Sequence, residues 1–105
     1  MIENTMTYEL RPNLDQQAYG EWAKKTIGVI LQTPGVIEFR ANRNLLGSPQ
    51  VRATTVFQTL VDWSKFIDTD EWRTLEAELR AFATDIHVEV WGPSPVLPEP
   101  VRPSQ

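Results

Sequence analysis

Val51-Arg52-Ala53-Thr54-Thr55-Val56-Phe57-Gln58 is a strand that runs straight into a tryptophan-bearing helical stretch ending near Phe82, and the rest of the chain repeats that pairing. Ala53, Thr55 and Phe57 share one face of it and Arg52, Thr54, Val56 and Gln58 the other, the period-two pattern of a half-buried strand. The helical stretch breaks into two pieces. Asp62 is placed to cap a short turn carrying Trp63, Phe66 and Ile67, and Asp68 with Glu71 three residues on marks a second start. Trp72, Leu75, Leu79 and Phe82 then form a buried stripe at helical spacing, with Glu71, Arg73, Glu76, Glu78 and Arg80 on the solvated side.

Upstream, Thr5 to Arg11 alternates with Met6, Tyr8 and Leu10 on one face, and Pro12 stops it. Asn13 is the predicted helix cap, with Gln16 as the other half of a capping box. From Asp15 to about Gln32 an apolar stripe includes Tyr19, Trp22, Ala23, Thr26, Ile27, Ile30 and Leu31. Gly20 and Gly28 weaken this helix, so either something packs closely against them or the helix is locally loose. Thr33-Pro34-Gly35 ends it. Val36 to Ala41 alternates again, Ile37, Phe39 and Ala41 opposing Glu38 and Arg40, and the turn-rich Asn42–Gln50 makes a long hairpin to the Val51 strand. Asp85 to Trp91 is the last strand, Ile86, Val88 and Val90 facing one way and His87, Glu89 and Trp91 the other.

Strand, helix, strand, strand, helix, strand is the order of a ferredoxin-like split βαβ unit, an α+β fold with two helices on one face of a four-stranded antiparallel sheet. Residues 1–92 are the expected domain. Residues 93–105, with prolines at 93, 95, 98, 100 and 103, read as an extended tail, free or lying along another subunit. The uncovered sheet face would carry Thr7, Glu9, Arg11, Glu38, Arg40, Arg52, Thr54, Val56, His87, Glu89 and Trp91, a mixture with an aromatic and a valine in it. A second copy covering that face as a homodimer is the expectation.

With 105 residues the chain is the size of one small domain, and its 41% apolar, 10% aromatic and 23% charged content is that of an ordinary globular protein. A net charge of -4 without a Lys/Arg cluster argues against a nucleic-acid partner. The absence of cysteine removes disulfides, thiolate catalysis and Cys-based metal sites. One histidine and scattered carboxylates give no metal-ligand spacing, so no metal is expected. No apolar run approaches the roughly 18 residues that span a bilayer, and the start lacks signal-peptide character; no membrane association and a cytoplasmic location are the default expectations.

Thr33-Pro34-Gly35-Val36 leading into an alternating strand, then Thr55-Val56-Phe57, Trp63-Ser64-Lys65-Phe66 and Asp70-Glu71-Trp72 before a helix, resembles the antibiotic biosynthesis monooxygenase-like group of dimeric α+β barrel proteins. The likeness covers about Thr5 to Trp91 and lies in the order of patterns. It implies a ferredoxin-like protomer, two sheets facing each other as a barrel, and a small-molecule pocket between sheet and helices. Members of that family oxidise polycyclic aromatics or quinols with oxygen and no metal or flavin, while others degrade haem. The haem-degrading branch carries an Asn on the first strand, a Trp leading into the second helix and a His on that helix. This chain offers Tyr8 or Glu9, then Phe66, then Glu76, so no axial His is available and no cofactor is expected.

For the chemistry, His87 is the one side chain whose ordinary pKa of about 6.5 suits proton transfer near neutral pH, with Glu89 and Glu9 positioned to orient it. His87 or Glu9 is the predicted base; the plain alternative is a polar residue on an edge strand or dimer interface. Tyr8, Trp22, Phe39, Phe57, Trp63, Phe66 and Trp72 are the candidate substrate contacts, able to stack a small aromatic molecule or simply to fill the core. Tyr8 adds a hydroxyl for a substrate phenol. Arg40, Arg52 and Glu38 are expected to pair across strands. The resemblance favours oxidation of a small aromatic compound without a cofactor, and a non-catalytic binding or structural dimer is the other reading.

Overall fold

The computed structural model describes residues 1–104. Its elements are β1 (Ile2–Leu10), α1 (Gln16–Leu31), β2 (Val36–Arg43), β3 (Val51–Phe57), α2 (Leu60–Ile67), α3 (Asp70–Leu79) and β4 (Ala83–Trp91). The strands form one antiparallel sheet in the order β2-β3-β1-β4. β1 and β2 therefore run parallel with β3 inserted between them, and β3 and β4 run parallel around β1. This is the ferredoxin-like split βαβ topology, its second crossover divided into α2 and α3. Beyond β4, residues 92–104 contain no helix or strand, and Val96, Leu97 and Val101 are exposed. The final tail residue, Gln105, lies outside the described residues.

Register builds the sheet in rows. On the side facing the helices, Phe39, Thr55 and Asn4 lie in one row, Ala41, Ala53, Met6 and Val88 in the next, and Val51 with Tyr8 beyond. On the outer side, Glu38, Val56, Glu3 and Trp91 make one row, Arg40, Thr54, Thr5 and Glu89 the second, and Asn42, Arg52, Thr7 and His87 the third. The two faces divide as the alternation predicts, with two local exceptions. The register shifts between Val36 and Glu38, so Val36 turns inward and Ile37 is left 47% exposed. A second irregularity places Thr84 opposite Glu9 and gives Asp85 a φ of 55°.

The observed helix caps lie one to three residues from the predicted ones. Asp15, not Asn13, caps α1 by accepting the Ala18 N–H at 3.1 Å. Thr59 and Thr69 cap α2 and α3 by accepting the backbone N–H of Asp62 and Trp72. Asp62 instead sits three residues inside, where its carboxylate accepts the Thr59 hydroxyl at 2.8 Å. Nothing lies within 4 Å of a side chain placed at Gly20 or Gly28, so close packing is not what keeps them. Gly35 differs: at φ +87° its missing Cβ would lie 2.3 Å from the Asp62 side chain.

The interior divides into two clusters. Met6, Tyr8, Leu79 and Ala83 form one, with Tyr19, Trp22, Val51 and Trp72 against it. Ile30, Phe57 and Phe66 form the other, with Val36, Phe39, Trp63 and again Trp72. Trp72 is thus the hinge of the core.

On the outer face two expectations change. Val56 and Thr54 are only 4% and 3% exposed, flanked by Glu3, Glu38 and Arg40, so of the predicted apolar pair only Trp91 is open to solvent, at 57%. Arg40 pairs with both Glu38 and Glu3, whereas Arg52 takes no carboxylate and donates to Asn42 Oδ1 at 3.3 Å. No helix among the described residues is long and apolar enough to cross a membrane.

Candidate binding cavity

Between the two core clusters lies a cavity of about 110 Å³. Its floor exists because Ala41 and Ala53 are paired across β2 and β3, leaving volume that larger residues would fill. Phe39, Thr55 and Asn4 bound the floor on one side, Val51 and Tyr8 on the other. The roof is the inward stripe of α1, chiefly Tyr19, Trp22, Thr26 and Ile30, together with Trp72, Leu75, Glu76 and Leu79 of α3. That volume is near the roughly 150 Å³ of a cavity that takes up benzene, and below the roughly 300–1,000 Å³ of drug-sized sites. One ring fits it.

Its walls are mostly apolar, and the polar side chains among the lining residues are Asn4, Tyr8, Tyr19, Thr26, Thr55 and Glu76. The hydroxyls of Tyr8 and Tyr19 meet at 2.7 Å. Burial above all, and then the bond to Tyr19, holds the Tyr8 phenol well above its usual ionisation range, so it stays a neutral hydrogen-bonding group. Asn4, 4% exposed, accepts the Trp63 indole N–H through Oδ1 at 3.0 Å, which leaves the amide NH₂ as its donor. Thr26, 8% exposed, has a buried hydroxyl with no hydrogen-bond partner. An unpaired buried hydroxyl of this kind costs about 1–3 kcal/mol.

Of the aromatic residues named from the sequence, Tyr8, Trp22, Phe39 and Trp72 line the cavity. Phe57, at 0% exposure, and Phe66, at 3%, are packed into the second cluster with ring centroids 5.4 Å apart, and Phe66 stands 5.0 Å from Trp72. Trp63 reaches the cavity only through its bond to Asn4. His87 and Glu9 stand on the outer face, across the sheet. The His87 side chain is 68% exposed, with Nε2 3.3 Å from a Glu89 oxygen, and Glu9 accepts the Ser48 hydroxyl at 3.0 Å and the Gln50 N–H. The titratable groups on the cavity wall are instead Tyr8, Tyr19 and Glu76, whose carboxylate accepts from Arg80 at 3.0 Å.

Tyr19 and Thr26 were legible as part of the α1 stripe but carried no chemical signal of their own. Asn4 was missed because β1 begins three residues before the alternation becomes visible. Among the described residues no group of three or more His, Cys, Asp or Glu is placed to hold a metal ion.

No protein-family model and no curated protein sequence matches the chain. Solved structures do. A candidate antibiotic biosynthesis monooxygenase from Deinococcus radiodurans superposes over 100% of both chains with a TM-score of 0.78 at 10% identity. SnoaB, a cofactor-independent oxygenase from Streptomyces nogalater, covers 93% of this chain and 97% of its own with a TM-score of 0.76 at 13% identity. A candidate antibiotic biosynthesis monooxygenase from Nitrosomonas europaea covers 88% and 97%, with a TM-score of 0.69 at 13% identity. At these identities the likeness is one of architecture: the chain has the ferredoxin-like α+β fold of the antibiotic biosynthesis monooxygenase-like structures.

Proposed function

We propose that the chain binds a single-ring phenol or quinol in the cavity between sheet and helices and oxidises it with molecular oxygen, without a cofactor. The observation that carries this reading is a one-ring cavity walled by Tyr8, Tyr19, Trp22, Phe39 and Trp72 on a fold shared with a cofactor-independent oxygenase. A quinol needs no outside reductant. One oxygen atom enters the ring as a hydroxyl and the other leaves as water, the quinol's own electrons and hydrogens giving a hydroxyquinone. Apolar walls keep water from the electron-rich ring, and Glu76 is the carboxylate on the wall able to receive a phenolic proton.

Binding without turnover is the second reading, and one observation favours it: the side chains expected as bases, His87 and Glu9, are separated from the cavity by the sheet. Oxygen uptake with hydroquinone, run beside a tryptophan-fluorescence titration, separates the two. Uptake above the buffer rate that falls in Trp72→Ala supports oxidation. Saturable binding with no uptake supports the binding module.

The same fold supports a homodimer through the outer sheet face, where His87, Glu89 and the exposed Trp91 lie together on the edge strand β4. Sedimentation of the intact chain tests it: a mass of twice 12.0 kDa is expected and a monomer would rule the face-to-face pair out.

A further inference from the structure

Asn4 on β1 and Thr55 on β3 stand directly opposite each other on the side of the sheet that faces the helices, so their Cβ atoms are about 4.5–5.5 Å apart on the cavity floor. They are 4% and 5% exposed. Among the described residues that are not exposed, Thr26 Oγ1 is the only enclosed side-chain nitrogen or oxygen without a partner, and an occupant of the cavity does not reach it. The Asn4 amide nitrogen and the Thr55 hydroxyl have no partner within the protein either, but they are not enclosed: the little surface these side chains keep opens into the cavity they line.

Trp63 fixes which end of the Asn4 carboxamide is presented. An indole nitrogen only donates, so the 3.0 Å contact claims Oδ1 and leaves the NH₂, a donor with no accepting capacity. Asn is disfavoured in strands, and burying an amide costs free energy unless it is paired. An apolar residue beside Met6 and Phe39 would fill the same floor without that cost.

We infer that Asn4 and Thr55 together recognise an oxygen on the bound ring, and that the cavity selects rings carrying a hydroxyl or carbonyl oxygen over amines and hydrocarbons of the same size, with Trp63 as the positioning residue that sets this polarity. A ring oxygen accepts from the Asn4 NH₂ and exchanges a second hydrogen bond with the Thr55 hydroxyl, which both donates and accepts. A ring amine turns its hydrogens toward an NH₂ that has nothing to accept them with. A hydrocarbon ring entering in place of water leaves both groups without a partner and loses affinity for that reason.

This inference rests on the cavity being the binding site, and the test separates the two. Phenol, aniline and toluene, nearly equal in size, are titrated into the intact wild-type chain, Thr55→Val, Thr55→Ser and Trp63→Phe, followed by calorimetry and by the fluorescence of Trp22 and Trp72. Wild type is expected to prefer phenol to both other rings. Thr55→Val should lose about tenfold of the preference over toluene, equivalent to about 1.4 kcal/mol, and Thr55→Ser should retain it. Toluene should bind Thr55→Val at least as tightly as wild type, which also shows that the variant is folded. Trp63→Phe frees Oδ1 and lets the amide turn, so its preference for phenol over aniline should shrink by about three- to tenfold, a change that loss of stability alone would not produce. A wild type that takes aniline or toluene as readily as phenol, or ratios that stay unchanged in Thr55→Val and Trp63→Phe, overturns the role of this pair and leaves the cavity reading standing. Failure of all three rings to bind the wild type overturns the cavity reading and this inference with it.

Discussion

The Trp63 indole N–H, on α2, donates to Asn4 Oδ1, on β1, at 3.0 Å, across 59 positions of sequence. That bond ties the second crossover to the central strand and orients the one amide on the cavity wall. Because Asn4 is buried, Trp63→Phe leaves its carboxamide without a partner and should cost about 1–3 kcal/mol in urea unfolding, beyond the change in packing. A double-mutant cycle with Asn4→Ala checks it. Additive effects would mean the bond contributes nothing.

The Tyr8 phenol, held protonated by burial and by Tyr19, supplies a pH signature. Its folded-state pKa is raised, so its contribution to stability is fully present below the ordinary phenol value of about 10 and is lost as pH climbs from there toward the folded-state value. Alkaline titration followed by phenolate absorbance should show the Tyr8 share of the rise only as the fold opens. In Tyr8→Phe that late step should be absent.

The cavity floor predicts a substitution that separates binding from stability. Ala53→Val fills part of the space between β3 and α1 with a residue suited to strands, so unfolding should change by less than about 1 kcal/mol while affinity for a ring falls about tenfold or more. By contrast Leu79→Ala, at a site only 3% exposed, should cost about 2–5 kcal/mol by opening a void in the first core cluster. Equal effects of the two on stability would count against a real cavity beside Ala53.

Gly28 is exposed on α1, with nothing within 4 Å of where its side chain would be. Gly28→Ala should therefore raise stability, by up to about 1 kcal/mol, read as a higher melting temperature. A drop would reveal a contact that this packing does not include.

Much of the fold was open to reading because its signals are local. Period-two alternation from Thr5 and from Asp85 assigned Tyr8, Val88 and His87 to the correct sides of the sheet, and the change of period after Phe57 marked the broken crossover. What stayed hidden depends on partners distant in sequence. Ile37 alternates perfectly on paper, yet the register shift beside Glu38 turns it outward, and no local pattern announces that. Val56 looks exposed by parity and is buried by Glu3 and Glu38 from two other strands. For the site, aromatic content alone could not tell Trp72, which faces the cavity, from Phe57 and Phe66, which fill volume. The difference lies in Ala41 and Ala53 meeting across two strands, a consequence of pairing rather than of either residue.

The four tryptophans offer the most direct test of the cavity as the binding site, since Trp22 and Trp72 line it, Trp63 touches it through Asn4, and Trp91 stands on the opposite face. In a nitrogen-proton correlation spectrum titrated with phenol, the indole signals of Trp22 and Trp72 should shift saturably and that of Trp91 should stay in place. Shifts confined to Trp91, or none at all, would contradict the account.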